Sequence, residues 1–179
     1  PRRAEILRAL GIPFQAVPAE VDETPLDGEA PERYARRLAL EKARAVSDLH
    51  PRALVLGADT VVHRDGRIFD APEMLDEARL VLKTLSGGAH LVTTALALAR
   101  KNPPLETSAS ETTEVAFREL DDETIERYVA TREPYDKAGG YGIQSLGGLA
   151  LVSQIRGSFT NVVGLPVDAL MKMLGEVER

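Results

Sequence analysis

Ala53-Leu54-Val55-Leu56-Gly57-Ala58-Asp59-Thr60-Val61-Val62 is the stretch that decides the fold. Its first six residues are apolar without alternation, the pattern of a strand buried on both faces. A single acidic residue beside a small one then interrupts it. Asp65-Gly66 is a two-residue hairpin signal, with Arg67 to Phe69 as the return strand. Upstream, Pro31 opens a helix that runs to Leu49. Its apolar face is Ala35, Leu38, Ala39, Ala43, Val46 and Leu49, spaced by three or four, and Arg37 and Glu41 form an i,i+4 pair.

Further out, helices are expected over Pro1–Leu10, Asp76–Leu85, from Asp121 to about Thr131, and from Pro166 onward. Strands are expected over Phe14–Val17, His90–Ala99, Glu111–Leu120 and Leu149–Ile155. Lys101 to Ser110, broken by Asn102-Pro103-Pro104, reads as the most flexible stretch, and Pro134 to Ser145 as a glycine-rich loop. Helices alternating with strands give an α/β domain, and the hairpins imply a mixed, twisted sheet flanked by helices. Residues 1–179 read as a single domain.

With 44% apolar and 28% charged residues, the chain has the composition of a folded globular domain and not of a disordered one. It contains no cysteine, which excludes disulfides, thiolate metal sites and a cysteine nucleophile, and suits a cytoplasmic location. The longest nearly apolar stretch, Leu91 to Ala99, is far shorter than the ~20 residues of a membrane span. The net charge of −6 argues against a nucleic-acid-binding face, although a local cation cluster can still hold a small anion.

Four places carry residues suited to chemistry. Asp59 follows the apolar strand, where ligands of open α/β sheets gather; there it either holds a divalent cation or takes a proton, or it simply caps its own turn. Arg2-Arg3 open a helix whose free N–H groups favour anions, and guanidiniums suit phosphate; by charge pattern alone they are surface residues. Lys42 lies on or beside the apolar stripe of the long helix, so it snorkels, pairs or meets a ligand. In Asp136-Lys137-Ala138-Gly139-Gly140-Tyr141-Gly142-Ile143-Gln144 the glycines admit a ligand to the backbone, Tyr141 suits base stacking and Gln144 suits a base edge. His50, His63 and His90 have no metal-binding spacing and read as structural or surface residues.

Together these pieces resemble the Maf family of nucleoside triphosphate pyrophosphatases. The resemblance runs from Pro1-Arg2-Arg3 through Val21-Asp22-Glu23-Thr24-Pro25, Glu41-Lys42-Ala43 and Gly57-Ala58-Asp59-Thr60-Val61-Val62 to the Asp136–Gln144 string and Asn161-Val162-Val163-Gly164-Leu165-Pro166. It implies an α/β fold of two lobes around a cleft, a homodimer, and a divalent metal (Mg, Mn or Co) as cofactor. The implied reaction cleaves a nucleoside triphosphate between its α and β phosphates. Asp59 matches the family's proton acceptor; Arg3 and Lys42 match residues that hold the triphosphate. Arg2, Thr60 and Gln144 match positions linked to base selectivity in the subgroup acting on dTTP and UTP. The sister subgroup acting on 7-methyl-GTP has Ser-Asp-Gln at the Ala58-Asp59-Thr60 place and lacks Tyr-Gly-Ile-Gln. Asp59 is expected to hold the metal with Glu23 or Glu41, and Lys137 to help counter the phosphate charge.

Two departures stand out. The family's opening motif is Ser-x-Ser-Pro-Arg-Arg, so a first strand and two serines are expected upstream of Pro1. At Asp70-Ala71-Pro72 the family usually has Gly-Lys-Pro, so Ala71 replaces a lysine near the phosphates. A slower or differently selective enzyme is the expected result. Two other readings remain open at this stage: a nucleotide-binding regulator of the cell-division type, and a pyrophosphatase for non-canonical purine triphosphates.

Overall fold

The apolar run becomes β1 (Val55–Arg64) of a five-stranded sheet, and the sequence turns back at Asp65-Gly66 into β2 (Arg67–Phe69). Both turn residues have positive φ, 53° and 78°, as a two-residue hairpin of this hand requires. The computed structural model describes residues 1–177. The other strands are β3 (Ala89–Arg100), β4 (Leu105–Phe117) and β5 (Val152–Arg156), and the order across the sheet is β2-β1-β3-β4-β5. The helices are α1 (Arg2–Ala9), α2 (Pro31–Leu49), α3 (Leu75–Leu85), α4 (Asp122–Val129), α5 (Leu146–Leu151), α6 (Phe159–Val163) and α7 (Val167–Val177).

The α/β class holds, with helices flanking the sheet. Its pairing is simpler than the mixed sheet expected: all four described ladders are antiparallel. Tight turns after β1 and β3 return the chain beside itself, whereas parallel neighbours need a long crossover. Three local expectations are corrected. Phe14–Val17 has no strand partner among the described residues; Phe14 instead lies under the Arg8 guanidinium at 5.5 Å. Leu105 to Ser110 is strand and not flexible loop, because it pairs residue by residue with Ala95 to Arg100. The first half of Leu149–Ile155 belongs to α5, whose N-terminus is capped by Ser145 Oγ accepting from Gly148 N at 2.9 Å.

Successive strand residues face opposite sides, and each side has its own cover. Ala95, Ala97, Ala99 and Val61 meet Tyr34, Ala35, Leu38, Ala39 and Ala43 of α2. Small side chains on both surfaces let helix and sheet approach closely. At Gly57 the approach is closest: a Cβ there would lie 2.1 Å from the Ala39 carbonyl oxygen. On the other side, Val62, Val92, Val115 and Phe117 pack against α3 and α4, while Leu96 and Leu98 pack against Leu7, Leu165, Leu170 and Met173.

Candidate active site

β2 pairs only with Val62, His63 and Arg64, so among the described residues β1 has no strand beside it on that edge from Val55 to Val61. A cavity of about 260 Å³ lies here. Arg2 and Arg3 of α1, Asp59 and Thr60 of β1, and Lys137 and Gln144 of the glycine-containing loop all line it. Three segments far apart in sequence thus share one hollow.

Asp59 is 8% exposed, and its Oδ1 accepts from Lys42 Nζ at 2.8 Å. Lys42 Nζ also reaches Glu23 Oε1 at 2.7 Å. Of the three fates open to Lys42, pairing is the one realised. Burial works against its charge, but the Asp59 and Glu23 carboxylates more than offset this and hold its pKa above the ordinary lysine value. Glu23 is placed by the chain around it. Tyr34 Oη donates to its carbonyl at 2.7 Å, and Arg37 donates to the Thr24 carbonyl at 3.1 Å and to Glu29. Glu41, the other candidate for the acidic role beside Asp59, is engaged by Arg37 at 3.3 Å, and its described ion pair is with that residue.

Arg3 donates from Nε to the Gly164 carbonyl at 2.8 Å and from Nη2 to Thr60 Oγ1 at 3.1 Å. Burial lowers its pKa, and the Asp59 charge opposes this. Arg2 reaches the Asp136 carbonyl at 3.4 Å. Lys137 Nζ donates to the Glu133 carbonyl at 2.7 Å and to Asp136 Oδ1. Gln144 is exposed at the cavity wall.

The donor set can be tested against a divalent cation. Asp59 Oδ2 makes no hydrogen bond to the described residues, and Glu23 supplies a second carboxylate across Lys42. No group of three or more His, Cys, Asp or Glu able to hold a metal occurs among the described residues. Two carboxylates without a closed protein cage fit a Mg-type ion, which takes its remaining ligands from substrate phosphates and water.

A family model described as "Maf-like protein" matches residues 1–177. The chain belongs to the Maf family. Several curated relatives share a name. A protein of Syntrophus aciditrophicus, called "dTTP/UTP pyrophosphatase", is 43% identical over 99% of this chain and 86% of its own length. Proteins of the same name from Symbiobacterium thermophilum and Anaeromyxobacter dehalogenans are each 48% identical over 97% of this chain and 88% of their own length.

This Maf chain also uses residues that sequence reading left without a role. Asn161, fully buried, donates to the Val92 carbonyl and to Thr113 Oγ1, both at 2.9 Å, and accepts from Thr94 N at 3.1 Å. It thereby ties the Arg3-binding Gly164 turn to the sheet. Glu133 accepts from Ser145 Oγ and from Tyr128 Oη, while Tyr128 Oη accepts from Gly142 N at 3.0 Å, and this network scaffolds the loop that carries Lys137 and Gln144. His90 lies behind the cavity, its Nε2 2.8 Å from Tyr141 Oη, and burial holds its pKa down to about 4. The Asn-Val-Val-Gly motif was the available signal for Asn161; Glu133 and His90 gave none at fixed spacing.

Proposed function

We propose that the chain hydrolyses dTTP and UTP to the monophosphate and pyrophosphate, with a divalent cation (Mg, Mn or Co) as cofactor. The observation that carries this is the convergence of Asp59, Arg3, Thr60 and Gln144 around one hollow, with Lys42 bonded to Asp59 at its edge. The names of the relatives point to the same substrates.

The triphosphate already carries negative charge when water attacks, so the site must neutralise charge and place the water. Free donors remain for this. Lys42 has three N–H groups and spends two on Asp59 and Glu23; Lys137 likewise spends two on Glu133 and Asp136. Arg3 spends two of its five on Gly164 and Thr60. What is left over faces phosphate oxygens. Asp59 orients the attacking water and accepts its proton at the oxygen that Lys42 does not hold. Asp59 and Glu23, rather than Glu41, would hold the cation, which supplies further charge neutralisation at the phosphates. Thr60, Gln144 and Arg2 contact the base. We further propose that the enzyme works in the cytoplasm and as a homodimer; light scattering on the purified protein reads the dimer directly.

Asp59→Asn tests the assignment. Pyrophosphate release from UTP falls by about 10²- to 10⁴-fold, the range for losing a general base, while the melting temperature stays near that of the parent. Full activity in this variant rejects Asp59 as the base. Tight binding of UTP by the unaltered protein without turnover rejects the enzyme reading in favour of a nucleotide-binding regulator.

A further inference from the structure

Behind Thr60 runs a chain of hydrogen bonds that fixes what Thr60 offers to the cavity. Arg3 Nη2 donates to Thr60 Oγ1 at 3.1 Å. Thr60 stands opposite Thr94 in the β1–β3 ladder, and their Oγ1 atoms are 2.9 Å apart. Thr94 Oγ1 in turn lies 3.0 Å from the carbonyl oxygen of Asn161, and both residues are fully buried.

A hydroxyl has one hydrogen and two lone pairs. The Asn161 carbonyl can only accept, so the Thr94 hydrogen goes there. The hydrogen between the two threonines must then come from Thr60. Charge selects the same direction: the Arg3 guanidinium at the head of the chain attracts hydroxyl oxygens and repels hydroxyl hydrogens, so both O–H dipoles align away from it and reinforce one another. Thr60 has now spent its hydrogen on Thr94 and one lone pair on Arg3. One lone pair remains.

We infer that Thr60 presents only an acceptor to the cavity, and that Thr94 is the positioning residue that makes it so; this rests on the pyrimidine-triphosphate reading above. An acceptor repels a phosphate oxygen, so Thr60 belongs to the nucleoside end of the substrate. It takes a ring N–H. Uracil and thymine carry one at N3, between two carbonyls. Cytosine has a lone pair at N3 and meets Thr60 acceptor to acceptor. The site therefore selects imide bases and refuses cytosine, through a residue that never touches the substrate.

The test is the ratio of kcat/KM for CTP to that for UTP. In the unaltered enzyme it is low, and N3-methyluridine triphosphate is turned over at least about tenfold less well than UTP, the worth of one hydrogen bond. Thr94→Val removes the acceptor for the Thr60 hydrogen, which is then free to turn toward the cavity, and the CTP-to-UTP ratio rises about tenfold. Thr94→Ser keeps the hydroxyl and the parent ratio. A general loss of packing lowers both substrates together and leaves the ratio in place. A folded Thr94→Val enzyme with an unchanged ratio overturns the inference. Where melting curves show that Thr94→Val is unfolded, the unaltered enzyme decides: equal turnover of UTP and N3-methyluridine triphosphate overturns it. Turnover of UTP and CTP alike overturns this inference alone, whereas no turnover of UTP overturns the underlying reading as well.

Discussion

Gly57→Ala is the substitution in which the closeness of α2 to the sheet becomes measurable as catalysis. The new Cβ would sit 2.1 Å from the Ala39 carbonyl oxygen, 2.8 Å from Ala43 N and 2.9 Å from Ala43 Cβ. Two of these neighbours are backbone atoms, so no rotamer change relieves the overlap. Ordinary contact begins near 3.4 Å, and α2 must therefore retreat by more than about 1 Å. Lys42 adjoins Ala43 and holds Asp59 at 2.8 Å, so a retreat of that size carries the pair beyond the ~3.2 Å reach of an ordinary N–H···O hydrogen bond. Overpacking costs about 1–3 kcal/mol, or roughly 2–12 °C in melting temperature for a chain of this length. A misplacement of about 1 Å near the reacting groups costs about 10²-fold in rate. The assay is pyrophosphate release from UTP, run well below both melting temperatures so that unfolding does not contribute. Gly175→Ala is the control: nothing lies within 4 Å of its would-be Cβ in α7, and alanine there stabilises by up to about 1 kcal/mol without touching activity. If Gly57→Ala retains parent activity and melting temperature, α2 does not set the Lys42–Asp59 contact by its distance from β1.

Two further outcomes follow from buried and from substituted positions. His90 is 1% exposed and its pKa is held down to about 4, so the folded state disfavours its protonated form. The stability this implies is fully present above the ordinary histidine pKa near 6.5 and is lost as pH falls from there toward 4, by about 3 kcal/mol in all. Chemical denaturation across that window should show a shallower acid loss in His90→Phe; an unchanged slope removes His90 as the cause. Ala71→Lys should raise kcat/KM for UTP by roughly tenfold, the worth of a charge-assisted contact to phosphate. Ala71 is exposed, and the adjoining Pro72 lies 3.5 Å from where a Cβ on Gly140 would stand, which sets a lysine beside the turn that carries Ala138 to the cavity. An unchanged value would show that the alanine costs this chain nothing.

What the sequence disclosed about the site follows from how local each signal was. β1 and α2 were legible because an unbroken apolar run and a three-four spacing each express burial within one element. Asp59 stood out because a charge closing such a run needs a reason. Elements whose character is supplied by a neighbour were not legible. Leu105 to Ser110 is polar and proline-flanked, yet β3 provides its ladder, and Leu149 to Leu151 is apolar in a way that suits strand or helix until the Ser145 cap decides. The same division separates the residues that line the cavity from those that orient them. Arg3 and Gln144 could be picked out by their chemistry, Thr60 only through the family resemblance. That Glu23 and not Glu41 meets Lys42 depends on Tyr34 and Arg37 holding a loop without regular structure, and no periodicity encodes that. Thr94 is more instructive still. On the sequence it is one polar residue in an apolar strand, indistinguishable from its neighbour Thr93; only the register that sets it against Thr60, with Asn161 beneath, turns its single hydrogen into a constraint on which base the cavity accepts. Specificity here is a matter of hydrogen direction, and direction is a property of the assembled network that no single residue carries.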